Sequence, residues 1–358
     1  MGLGGVGGYF GGMLARTYAT NREVEVYFVA RGKHGLEIAR SGLEVETPKG
    51  SFRVRPEGVV EQPERLGVTA DYILCCTKSY DLEAAVQKLR PIIGPETVIV
   101  PLLNGADIRD RIVEQLKDRG QVWYGLTYIV AMKTTPGTVR NVHGRGKLLF
   151  GSGAGRCERG DELEALLREA GIQAEWHDDI QLQVWKKFII ISVSASVTSY
   201  FDLPVLLALE RHPDMCHRLL QEATSVAQAR GFDLTEEYCW QELLRTWGSD
   251  EKSTTSMHRD FRAGRPTEVD SLCGYIVREA ERLNIPVPTY EEIYRGLKVG
   301  ICKCEAVLNG RLTSAASLPF GIWKRGGACY FCPTFFGRGP VPLPYSITTP
   351  DHFNYSRN

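Results

Sequence analysis

The chain opens on a glycine-dense turn, Gly2-Leu3-Gly4-Gly5-Val6-Gly7-Gly8, that runs directly into the helical pattern Tyr9–Tyr18. The spacing is G-x-G-x-x-G. In such turns the first glycine (Gly2) makes the tight bend, the second (Gly4) lets a pyrophosphate approach the backbone, and the third (Gly7) lets the helix pack closely on a strand. The helix N-terminus then offers amide donors to the phosphates. A strand-like run follows at Glu23–Ala30, which sets the turn in a βαβ context rather than in a loose tail. The strand that ordinarily delivers the chain to this turn is missing, since only Met1 precedes Gly2. A shortened reading frame is the expected explanation.

The end of the second strand bears on the cofactor. An acid there would bond the ribose 2′-hydroxyl of NAD. This chain has Val29-Ala30-Arg31-Gly32-Lys33-His34 instead. An arginine at that place pairs with a 2′-phosphate and stacks on adenine, so the expected cofactor is NADP. Continuous apolar strands at Asp71–Thr77 and Thr97–Leu103 flank a helical pattern at Asp81–Leu89, and Leu43–Val54 reads as a hairpin. Alternation of this kind predicts a parallel, doubly covered sheet. Lys78 and Asn104 then fall just beyond strand ends, where such sheets bind ligands. Taken singly, each reads as structural, a helix-start lysine and a turn asparagine; together, at two strand ends, they become candidates to contact cofactor and substrate.

From about Asp178 to Leu308 the periodicity is helical throughout, in segments Ile180–Ser199, Pro204–Gln228, Thr235–Trp247, Glu268–Arg282 and Thr289–Leu308. The fold class expected is therefore α/β. A Rossmann-like domain over residues 1–177 precedes an all-helical substrate domain over 178–308, and an irregular tail at 309–358 stands outside the fold. The run around Phe188–Val197 is too short for the ~20 apolar residues of a membrane span and reads as a buried helix. Lys+Arg and Asp+Glu both number 43, so no net field attracts nucleic acid or an anionic membrane. The partner expected is a small molecule. A homodimer is the one macromolecular association left open. Ten cysteines without a secretory leader favour reduced thiols and a cytoplasmic location. Cys302-x-Cys304 with Cys329-x-x-Cys332 is the nearest approach to a zinc pattern, but incidental cysteines are the preferred reading, so no metal is expected.

The second half offers groups for acid–base work. In Trp185-Lys186-Lys187 successive side chains point about 100° apart, so one lysine faces inward. An inward lysine is costly unless paired or functional. Ser256 and Glu268 stand twelve residues apart across the turn Ala263–Pro266, and Glu268 is placed in the first turn of the next helix. Spacing alone would leave Lys187 and Glu268 on the surface.

In combination, these motifs resemble the ketopantoate reductase (2-dehydropantoate 2-reductase) family. The resemblance rests on Gly2/Gly4/Gly7, Arg31, Lys78, Leu103-Asn104-Gly105, Gly137-Thr-Val, His143-Gly-Arg-Gly, Trp185-Lys-Lys187, Ser256-Met257 and Pro266-Thr267-Glu268-Val-Asp270, and spans Gly2–Leu308. It implies NADPH-dependent reduction of a 2-oxo acid, with ketopantoate to pantoate the leading reaction. Alternatives are a related specificity or a non-catalytic NADP-binding chain. Lys187 would be the general acid and Glu268 would keep it charged and oriented, with a further contact to a substrate hydroxyl. Asn104 would bond near the carbonyl and nicotinamide, and Ser256 would bind the substrate carboxylate. Gly2, Gly4, Gly7, Arg31 and Lys78 would hold the cofactor. Family members often carry Asn four and eight residues after the lysine. Here those positions are Ile191 and Ala195, and Ser192, Ser194 and Ser196 are the candidate replacements.

Overall fold

A computed structural model describes residues 1–117, 119–247 and 252–308, with two short strands beyond them. Helix α1 (Gly5–Thr17) leads to β1 (Tyr27–Val29), α2 (Gly32–Ser41), the hairpin β2 (Leu43–Thr47) and β3 (Gly50–Val54), and β4 (Gly58–Val60). Then come β5 (Tyr72–Cys75), α3 (Leu82–Leu89), β6 (Val98–Pro101), α4 (Ile108–Leu116) and β7 (Gln121–Val122). A long hairpin, β8 (Tyr124–Thr135) and β9 (Thr138–Gly151), precedes α5 (Glu158–Glu169) and β10 (Gln173–Trp176). The elements after β10 are helical up to Leu308: α6 (Ile180–Phe201), α7 (Val205–Arg211), α8 (Pro213–Ala229), α9 (Glu236–Trp247), α10 (Ser256–Arg262), α11 (Cys273–Leu283) and α12 (Pro288–Leu308). The alternation followed by helices matches the fold class read from the sequence.

Strands β5, β6 and β7 run parallel side by side, as do β1 and β4. Met1 and Gly2 lie between these two groups. The Met1 ammonium donates to Leu74 O (3.0 Å), Cys76 N donates to Met1 O (2.9 Å), and Gly2 N donates to Val29 O (3.2 Å). Two residues thus bridge β1 and β5 at the place where the sequence pattern called for a strand. A second sheet orders β10-β9-β2-β3, with β8 antiparallel on β9.

The three larger apolar clusters among the described residues follow this division. One packs α1 and α2 against β1, β2 and β9 through Phe10, Phe28, Ile38, Val45 and Leu148. Another sets α3 and α4 on β5 and β6 through Leu82, Leu89, Ile112, Ile73 and Ile99. The third is helical and is built on α6, α8 and α11. Residues 305–358 form a separate unit in which β11 (Trp323–Arg325) pairs antiparallel with β12 (Ala328–Tyr330), so the segment read as a structureless tail contains one short ladder. The rest of that tail lies outside the described residues.

Several boundaries differ from the sequence reading. The strand expected over 23–30 shrinks to β1, because Asn21 Oδ1 accepts from Glu23 N and Val24 N and turns the chain there. The helix expected over 204–228 is two helices. Pro213 opens the second, a position that suits its fixed φ and missing N–H. Glu268 does not start a helix. It precedes a turn, donors Ser271 N and Leu272 N bond its carbonyl, and α11 begins only at Cys273.

The glycine turn explains its own composition. Gly2 has φ +83°, and a Cβ there would lie 2.7 Å from Thr77 N. A Cβ on Gly7 would lie 2.2 Å from Gly2 O and 2.9 Å from Cys76 Cβ, whereas one on Gly4 would meet nothing within 4 Å. Gly7→Ala should therefore lower stability by about 1–3 kcal/mol through overpacking against backbone. Thermal melts should show it several degrees below wild type, with Gly4→Ala unshifted.

Candidate functional site

Helix α6 is apolar around most of its circumference and is buried accordingly. Trp185 fixes its phase, since its ring packs at 5.6 Å from Phe188, 5.3 Å from Phe232 and 6.0 Å from Tyr275. One step along the helix, Lys186 Nζ sits 5.0 Å from the Tyr238 ring of α9. One step further, Lys187 enters a cleft of about 260 Å³, open space at its mouth included. The cleft is lined by Leu103, Asn104, Gly105, Gly125, Leu126, Val184, Lys187, Phe188, Ile191 and Leu272.

Lys187 Nζ donates to Asn104 Oδ1 at 3.0 Å, and the Tyr128 ring of β8 lies 5.8 Å from the same ammonium. Asn104 reaches it from the loop after β6. There Gly105 takes φ +141°, and a Cβ on it would stand 2.9 Å from Ile108 Cγ1, so the loop requires glycine. Burial pushes the Lys187 ammonium down to about 8, and the nearby Glu268 carboxylate works in the opposite direction.

Glu268 does not pair with Lys187. Its Oε2 accepts from Lys78 Nζ at 3.1 Å and its Oε1 accepts from Ser79 N at 3.2 Å, leaving the side chain 5% exposed. Lys78 also donates to Asp260 Oδ2 at 3.1 Å, and Arg265 holds the other oxygen of Asp260. Burial alone would lower the Lys78 ammonium, but Glu268 and Asp260 outweigh it and raise the group above its ordinary value. The expected Lys187–Glu268 contact is thus replaced by a field effect. The reason is geometric: Glu268 heads the turn before α11, beside the Lys78 turn, and does not sit on a helix facing α6. Arg111 adds a second tie between the α/β and helical parts, donating to Ser79 O (2.7 Å) and Ser271 Oγ (3.3 Å).

The glycine turn fits a dinucleotide. Helix α1 starts at Gly5, no side chain caps it at Gly4, and the space over Gly4 is open. Its first-turn amides are the donors that phosphates use. Arg31 precedes α2 and is exposed, with its guanidinium on Asp81 at 2.5 Å. Ser256 opens α10 half-buried and does not line the cleft. The three candidate serines are also elsewhere. Ser194 Oγ donates to Ile190 O (2.6 Å), Ser196 Oγ donates to Ser192 O (2.7 Å), and Ser192 Oγ accepts from Tyr290 (3.1 Å), all fully buried. Ala195 is buried in the helical core, whereas Ile191 forms cleft wall.

Asp260, Asp81 and Tyr128 went unnoticed in the sequence. Asp81, three residues past Lys78 in a strand-to-helix turn, was the one of the three with a usable position signal. No group of three or more metal-ligating side chains gathers among the described residues. The side chains of Cys302, Cys304, Cys329 and Cys332 lie outside them. Among the described residues no single helix is long and apolar enough to cross a membrane.

Comparison with known proteins bears on the family and the fold. The family description Ketopantoate reductase PanE/ApbA matches residues 1–155, and its C-terminal counterpart matches residues 179–300. The crystal structure of 2-dehydropantoate 2-reductase from Porphyromonas gingivalis W83 is 40% identical, with a TM-score of 0.72, over 83% of this chain and 97% of that one. The chain belongs to the ketopantoate reductase family. The oxidoreductase YkpB of Bacillus subtilis is 29% identical over 84% of this chain and 97% of its own length. A 2-dehydropantoate 2-reductase of Mesorhizobium japonicum is 25% identical over 82% and 94%. D-mandelate dehydrogenase shares the fold, with a TM-score of 0.75 at 20% identity over 85% and 97%. Membership makes the chain an oxidoreductase of the NAD(P)H-using, Rossmann-containing kind.

The Lys78 bridge is the most exposed point of this arrangement to mutation. Removing Lys78 leaves the buried Glu268 with a backbone donor alone. Lys78→Ala should cost about 1–3 kcal/mol in denaturant unfolding, discounted because the lysine is partly exposed. A double-mutant cycle with Glu268→Gln should show a coupling above about 0.5 kcal/mol.

Proposed function

We propose that the chain reduces a small 2-oxo acid to the 2-hydroxy acid with NADPH, the parent reaction being 2-dehydropantoate to pantoate in pantothenate biosynthesis. One observation carries the reading: the Lys187 ammonium, which burial pushes down to about 8, is hydrogen-bonded to Asn104 at one end of a cleft whose other side chains are apolar. Such a group is charged at neutral pH yet gives up its proton readily, which is what a carbonyl oxygen gaining charge requires.

In this reading Lys187 donates a proton to the carbonyl oxygen and polarises the carbonyl beforehand. Asn104 holds the ammonium at one position, so little reorganisation is needed. Glu268 keeps Lys187 protonated to higher pH than burial alone would allow. The reduced nicotinamide supplies the hydride when bound. Gly2, Gly4 and Gly7 shape the turn for its pyrophosphate, and Arg31 and Lys78 offer the cations. The 2′-phosphate preference rests on Arg31 and on the lack of an acid at the end of β1. Ser256 would reach the substrate carboxylate only from outside the cleft described here.

Lys187→Ala should lower kcat about 10²- to 10⁴-fold in an NADPH-oxidation assay while NADPH binding is retained. In the wild type kcat/KM should fall as pH rises through about 8, because the acid form of Lys187 is lost there. Glu268→Gln should move that limb to lower pH, since the carboxylate raises the Lys187 value. A wild-type limb at the ordinary lysine value, or full activity in Lys187→Ala, would sink the assignment.

A further inference from the structure

The side chains that line the cleft are polar at one end, at Asn104 and Lys187, and hydrocarbon elsewhere. Beyond Asn104 and Lys187, its side chains are Leu103, Leu126, Val184, Phe188, Ile191 and Leu272. Ile191 stands four residues after Lys187 on α6, so the two share one helix face and one side of the cleft. The hydroxyls nearest to it in sequence, Ser192 and Ser194, are fully buried and already bonded within the helical core. Among the described residues no side-chain hydroxyl lines the cleft, and Asn104, the side-chain amide that does, is engaged with the ammonium.

We infer that the cleft selects a 2-oxo acid whose side chain is a branched hydrocarbon without a hydroxyl, and that Ile191 sets this preference. The inference rests on the reductase reading above and names its substrate class. A substrate hydroxyl entering this space gives up its water and finds no side-chain partner beyond Lys187 and Asn104, which are already bonded to each other. A hydrocarbon of the same shape loses nothing and gains contact along Ile191 and Phe188. An apolar pocket discriminates against an added hydroxyl by about 10- to 100-fold.

Ketopantoate and trimethylpyruvate differ by one hydroxyl on the same branched skeleton, so their kcat/KM ratio with saturating NADPH reads the preference directly. The wild-type chain should favour trimethylpyruvate by about 10-fold or more. Ile191→Asn should swing the ratio at least 10-fold toward ketopantoate. Ile191→Thr, closer to isosteric, should swing it the same way by a smaller factor, and Ile191→Val should leave it unchanged. A wild-type preference for ketopantoate overturns the inference. So does a ratio that neither the Asn nor the Thr variant moves while turnover persists. If the wild type reduces neither acid, the reductase reading itself fails and this inference falls with it. Reduction of both acids with the opposite ratio defeats only the specificity.

Discussion

A positive charge set into an apolar wall organises this molecule. The ammonium of Lys187 loses hydration on entering the cleft, and the drop in its proton affinity records that loss. Such a group is tolerated only where its surroundings hold it, and here the holders come from two parts of the chain. Asn104 arrives from the end of β6, and α6 brings the lysine itself. The Glu268 carboxylate stabilises the charge from a distance while its own oxygens are occupied by Lys78 and Ser79. Lysine 78 therefore acts on the centre indirectly, by fixing where the compensating negative charge resides.

The same logic of close approach governs the glycine turn. Gly2 and Gly7 are required by contacts inside the protein, whereas the open side of Gly4 faces no protein atom. The three positions of one motif thus divide into two that serve the fold and one that leaves room for something else. Met1 and Gly2, hydrogen-bonded on both sides, carry the continuity between β1 and β5.

Much of this was legible in the sequence because local rules carried it. The glycine spacing, the apolar runs at β5 and β6 and the apolar length of α6 each announce an element that the fold keeps. Trp185-Lys186-Lys187 also read correctly, since helical geometry sends adjacent side chains to different faces. What failed was information held in pairing across the chain. Glu268 looked like a first-turn carboxylate aimed at Lys187, and only its bonds to Lys78 and Ser79, far away in sequence, show otherwise. The serines beside Ile191 looked available, but 3.6-residue periodicity alone does not say which hydroxyls the helix turns back onto its own carbonyls. Asp260 acquires its meaning from a residue 182 positions away.

Trp185 gives the chemistry an unusual dependence on the interior. It lies two residues from Lys187 and is wedged among Phe188, Phe232 and Tyr275. Loosening of that aromatic cluster would shift α6 and with it both Lys187 and Phe188, a cluster ring that also lines the cleft. Catalytic drift in this lineage can therefore originate in hydrophobic repacking, and tuning the amine and tuning the interior are one evolutionary problem.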